Sequence, residues 1–118
     1  MPRTAQGTLP PLTNAVTGIT ALAGGARSAA TPVLSGGFNE VTTVATATDS
    51  VCLPPAVYGM EIVVHNAAAA NAMQVFAAFG TTDTINGVAA ATGVAQAAGK
   101  GAIYACYADG KWTRVLSA

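Results

Sequence analysis

Ionisable groups are scarce in this chain: five acidic residues, five basic residues and one histidine in 118. That scarcity leaves little material for acid–base chemistry, metal binding or electrostatic steering. The bases Arg3, Arg27, Lys100, Lys111 and Arg114 are widely spaced. With no basic cluster to follow a phosphate backbone, no nucleic-acid partner is expected. Aromatics are few as well, three Phe, three Tyr and one Trp, and much of the 52% hydrophobic share is alanine. Burial contributes roughly 25 cal/mol per Å², so an alanine-rich core is thin. A thin core under a weakly charged surface points to burial completed by oligomerisation or by docking on a larger body.

Two cysteines, Cys52 and Cys106, allow one disulfide at most. Both sit in apolar, β-prone runs and read as buried reduced thiols, since no export signal is evident. Arg3 is followed by Thr-Ala-Gln-Gly-Thr, and prolines soon interrupt any apolar run, so no signal peptide is expected. The uncharged stretch 62–82 is long enough to raise the question of a membrane span. It contains His65, Asn66, Asn71, Gln74 and Gly80 and has no basic flanks. It reads as two strands and a turn, so no membrane partner is expected.

What is present is Ala, Val, Thr and Gly in short runs broken by turns. Residues 1–35 hold four of the six prolines and keep no steady period. They read as an extended N-terminal arm, with Leu9, Leu12, Ile19 and Leu22 laid on a partner. Residues 36–118 read as a β-domain whose core lies downstream of Gly36. Strands are expected at 38–46, at 49–53 before Pro54-Pro55, at 60–66, at 72–79, around 84–90 and weakly at 94–98. The run from Met60 alternates, with Met60, Ile62 and Val64 on one face and Glu61, Val63 and His65 on the other. In 72–79, Met73, Val75 and Phe79 are expected on one face, Gln74 and Phe76 on the other. Strands every ten residues or so predict an all-β fold, a small antiparallel β-sandwich or barrel.

The end of the chain carries the strongest local signal. Asp109-Gly110 between two β-rich runs predicts a hairpin with a two-residue loop. Tyr107 then faces Trp112, Cys106 faces Thr113 and Tyr104 faces Val115. Ile103, Ala105, Tyr107, Trp112, Arg114 and Leu116 would share one face. The Tyr107–Trp112 pair would add about 0.2–1 kcal/mol. Both faces are fairly apolar, which predicts cover on both sides, by a second sheet and by another subunit.

Residue patterns for chemistry are weak. His65 with Cys52 or Cys106 lacks an orienting group and an oxyanion site, and shares a polar strand face with Glu61. No Cys or His pairs stand at zinc spacing, so no metal or other cofactor is expected. Asp49, Asp83 and Asp109 lie beside turn residues, where aspartates bond backbone. Gly24-Gly25, Gly36-Gly37 and Lys100 do not make a phosphate loop. Lys111, Trp112 and Arg114 form a basic and aromatic cluster. Tyr104, Tyr107 and Trp112 read as core and interface packing, or alternatively as a sugar-stacking surface. No catalytic site, and hence no enzyme, is expected.

Six runs together resemble a known module. They are Asp49-Ser-Val-Cys-Leu-Pro-Pro-Ala, Gly59-Met-Glu-Ile-Val-Val-His-Asn-Ala, Met73-Gln-Val-Phe, Asp83-Thr-Ile-Asn-Gly, Ala102-Ile-Tyr-Ala-Cys and Gly110-Lys-Trp. This pattern of strands and turns is similar to a small β-domain of tailed-bacteriophage virion proteins, found in head decoration (cement) proteins, head fibres and some tail proteins. It covers roughly the last two thirds of the chain and brings no catalytic residues. The resemblance implies a structural virion protein that decorates the capsid surface. Its partner would be the major capsid protein, its assembly a homotrimer, and its site of synthesis the host bacterial cytoplasm. A head-fibre or tail component that binds host-surface glycans is the alternative.

Overall fold

The computed structural model describes residues 15–118, all-β and with no helix among them. Nine strands form: β1 (Ala15–Thr20), β2 (Gly37–Thr43), β3 (Ser50–Cys52), β4 (Glu61–Asn66), β5 (Met73–Phe76), β6 (Thr84–Ile85), β7 (Val94–Gln96), β8 (Gly101–Ala108) and β9 (Lys111–Leu116). A six-stranded sheet runs β1-β2-β4-β8-β9-β6, and a three-stranded sheet runs β3-β5-β7.

The pairing is mixed, where an antiparallel fold was expected. β1–β2, β2–β4, β3–β5 and β6–β9 are parallel; β4–β8, β5–β7 and β8–β9 are antiparallel. The cause lies in the winding. From β2 to β8 the chain visits the two sheets in strict alternation. Early in the coil each strand that returns to its own sheet runs the same way as its predecessor, β4 after β2 and β5 after β3; β7 and β8 then reverse, antiparallel to β5 and β4. Direct antiparallel return needs a tight hairpin, and only Asp109-Gly110 supplies one between sheet neighbours. The result is a solenoid-like coil closed by a hairpin.

Residues 15–35 are woven into this coil, a correction to the arm expected over 1–35. β1 pairs with β2, Leu22 bridges Ser50 and Val33 bridges Cys52. Ala21, Thr31 and Leu34 are buried. The Arg27 guanidinium donates to the carbonyls of Ala77, Ala78 and Thr81. Residues 1–14, with Leu9 and Leu12, lie outside the described residues. Gly24 and Gly25, both at positive φ, permit the turn that returns the chain to the sheets.

One core draws on both sheets. It holds Val41, Ile62, Val64, Ala102, Tyr104, Cys106 and Trp112 from the larger sheet, with Val51, Met73 and Val75 from the smaller. The alternation expected in β4 holds: Ile62 and Val64 are buried, Glu61 is exposed, and Val63 and His65 are half-buried. The strand expected over 72–79 ends at Phe76. Met73 and Val75 face the core, while Gln74 and Phe76 share the other face beside Gly93, as expected; Phe79, beyond the strand end where Arg27 takes the Ala77 and Ala78 carbonyls, is exposed instead of joining Met73 and Val75.

Buried polar side chains tie the layers together. Tyr104 Oη donates to Gln96 Oε1 at 2.8 Å, and Gln96 Nε2 donates to the carbonyls of Val64 and Lys100 at 3.0 and 2.9 Å. Asn66 Nδ2 donates to the Asn71 and Gln96 carbonyls. Such groups are tolerated in a core because their hydrogen bonds are made.

Candidate functional site

The terminal hairpin decides which aromatic rings are available at the surface. Its pairs are Ala102↔Leu116, Ile103↔Val115, Tyr104↔Arg114, Ala105↔Thr113, Cys106↔Trp112 and Ala108↔Lys111, with a bulge between Cys106 and Ala108. The expected register is therefore one residue out. A two-residue type I′ loop needs positive φ at both central residues. Here Gly110 has φ +79°, while Asp109 is not in the positive region. The ladder absorbs the difference by leaving Tyr107 as the extra residue of the bulge.

That shift moves Trp112 to the core face, where it is 0% exposed. Trp112 is thus removed from the interface set and from any sugar-stacking surface; its Nε1 is buried without a partner among the described residues. Arg114 is half-buried, with Nη1 donating to the Ala95 carbonyl at 2.7 Å and its backbone N–H to Asn86 Oδ1. Ile19 and Leu22 are half-buried, Ile19 packed against the core. Of the described candidates only Tyr107 is openly exposed, at 57%. The structure does not bring these residues together as one surface.

Two other surfaces emerge. The first is the loop end around Tyr107. Residues 56–60 run beside the hairpin turn: Tyr58 N–H donates to Asp109 Oδ1 at 2.9 Å, Gly59 N–H to the Cys106 carbonyl at 3.0 Å, and Cys106 N–H to the Met60 carbonyl at 2.8 Å. Asp83 Oδ2 accepts the Ala56 N–H at 2.8 Å. On this braced platform Val57, Tyr58 and Tyr107 are exposed, Tyr58 at 72%. Asp83 and Asp109 bond backbone as the sequence predicted, but across loops and not within their own turns.

The second is the outer face of the six-stranded sheet. Registered positions place Ala15, Phe38, Val63, Ile103 and Val115 side by side across five strands. Ile103 and Val115 are exposed, Val115 at 66%. Gly101 has no side chain, and a groove of about 270 Å³ opens there, lined by Val63, Gly101, Ile103, Val115, Leu116 and Ser117. Charged residues flank the row: Glu61 on β4 and Glu40 on β2, with Lys111 on β9. No ion pair forms among the described residues. Two signals marked this row in the sequence: Val63, an apolar residue on the polar face of an alternating strand, and the apolar character of both hairpin faces.

Chemistry-bearing side chains are scattered. No three His, Cys, Asp or Glu side chains gather around a possible metal position among the described residues. Cys52 and Cys106 are buried and unpaired. Burial pushes the Cys52 thiol up, against smaller opposing effects of the Phe79 backbone, Arg27 and Thr31. Cys106 Sγ donates to the Ala108 carbonyl. Among the described residues no helix is long and apolar enough to cross a membrane. In comparisons with known proteins, no family model, curated protein or solved structure matches this chain.

Proposed function

We propose that this chain is a structural virion protein, a decoration protein that docks on the outer surface of a tailed-phage head and stiffens it. In this reading its two sheets are the layers of a small sandwich, its partner is the major capsid protein, and it works as a homotrimer without catalysis. The observation that carries the reading is the braced Val57–Tyr58–Tyr107 end. Exposed tyrosines held on a rigid platform lose little entropy on docking, and such rings dominate binding energy at protein interfaces. The sequence resemblance supplies the kind of partner. The test is saturable binding to expanded heads that lack this protein. Wild-type chain is expected to saturate, and the double variant Tyr58→Ser, Tyr107→Ser to lose at least tenfold in affinity. Absence of saturable binding by the wild type would remove the reading.

The same two rings support a second reading, a fibre or tail component that stacks host glycans on Tyr58 and Tyr107. Glycan-array binding abolished by Tyr107→Ser would favour it. Trp112 has no part in either reading, because it is buried.

A further inference from the structure

We infer that the outer face of the six-stranded sheet is a self-association surface, on which β9 of one copy packs against β4 of a second copy. This concerns how copies meet and holds whether or not the partner is a capsid.

The surface begins with a row of apolar residues in register. Val63, Ile103 and Val115 stand opposite one another on β4, β8 and β9. β-branched side chains of nearly equal size thus flank Ile103 on both sides, so the row reads the same from β4 as from β9. A surface with that pattern is complementary to its own copy, and such a face stacks on a second sheet about 10 Å away.

Charge then selects the pairing. On β4, Glu61 lies two residues from Val63, opposite Ala105 and, through it, Thr113. On β9, Lys111 lies two residues beyond Thr113 towards the hairpin turn. Acid and base therefore stand on opposite flanks of β8. Packing β4 on β4 would set Glu61 against Glu61. Packing β9 on β4 brings Lys111 towards the second copy's Glu61, offset by about 7 Å along the strands, a span that a lysine stem covers. Neither charge has an ion-pair partner within the described residues. The groove over Gly101 completes the fit. It sits beside Ile103 and Val115 with an almost wholly apolar lining, and it can receive an aliphatic side chain of the second copy.

Each copy has one β4 flank and one β9 flank, so a two-fold arrangement uses both and closes as a pair; repeated head to tail, the same contact makes a ring when the rotation between copies closes.

The experiment is light scattering on the full chain at micromolar concentration, with circular dichroism as the check on folding. The wild type is expected at two or three times the 11.6 kDa chain mass. Ile103→Asp, at an exposed position, is expected to stay folded and become monomeric. Glu61→Lys and Lys111→Glu are each expected to raise the association midpoint by about fivefold, and the double reversal to restore it. A monomeric wild type overturns the proposal. So does an assembly that survives Ile103→Asp, or a double reversal no better than the single ones. Head binding by Ile103→Asp separates the two proposals, since head docking through Tyr58 and Tyr107 does not require this face.

Discussion

At the scale of single residues, a few buried polar groups bind the two sheets to each other. Tyr104 illustrates the balance. Burial pushes its phenol up to about 12, with Arg114 beside it acting in the opposite direction. The neutral phenol donates to Gln96 Oε1, a bond the phenolate cannot make. In the unfolded chain the group titrates near 10. A folded value above the unfolded one means that the native state holds its proton more tightly. This contribution is therefore fully present below pH 10 and lost as pH rises through 12. The loss is on the order of 2–3 kcal/mol. Urea denaturation at pH 8, 10 and 11.5 is expected to show that decline, and Tyr104→Phe is expected to flatten it. At neutral pH the same variant is expected to cost about 1–3 kcal/mol, because Gln96 Oε1 loses its donor. Cysteine chemistry gives a second residue-scale prediction. Unreduced protein alkylated after unfolding is expected to carry two modified thiols, whereas native protein labels slowly at Cys52 because burial raises its thiol. A mass two hydrogens short, with no label, would contradict the pair of free thiols.

At the scale of elements, the terminal hairpin shows how one backbone angle sets an entire face. Gly110 is at positive φ, and a Cβ there would stand 3.3 Å from Asp83 Oδ1. Gly110→Ala therefore meets both an unfavourable backbone region and a crowded carboxylate. It is expected to cost about 1–2 kcal/mol, read as a lowered urea midpoint with an unchanged slope. Asp83 also accepts the Ala56 N–H, so the loop carrying Tyr58 is expected to loosen in the same variant. Faster amide exchange at Ala56 and Tyr58 would report it. Gly101 behaves differently. Its φ is not positive, and a Cβ would make only ordinary contact with His65 Nδ1 at 3.6 Å. Its lack of a side chain shapes the surface groove and is not required by the backbone.

At the scale of the molecule, the winding makes the N-terminal third part of the core. Removing residues 1–35 deletes β1, the Leu22 and Val33 bridges to β3, buried Leu34 and the Arg27 clamp. Loss of Leu34 alone, as Leu34→Ala, is expected to cost about 2–5 kcal/mol. The truncated chain is therefore expected to unfold, seen as loss of the β signal in circular dichroism and of dispersed amide resonances. A folded truncation would show that residues 36–118 suffice. Stability of the isolated chain also has to be read beside its assembly. A subunit that keeps Ile103 and Val115 wet gains when a second copy covers them.

The amino-acid order alone determined that this protein is β-rich, where most strands fall, and that few groups are available for chemistry. Alternation of Ile62 and Val64 with Glu61 and His65 encodes faces directly, because successive side chains in a strand point to opposite sides. Prolines and glycines mark where strands stop for equally local reasons. Period two says nothing about which strand lies beside which, or in which direction. Those choices rest on contacts distant in sequence, such as Val33 with Cys52 or Arg27 with Ala77, and only the tertiary structure made them. It also decided that Trp112 faces inward and Tyr107 outward. The physical reason is that a two-residue turn sequence permits more than one backbone path. The path adopted here is the one in which Asp109 caps Tyr58, Gly110 alone takes positive φ, and the indole fills the core.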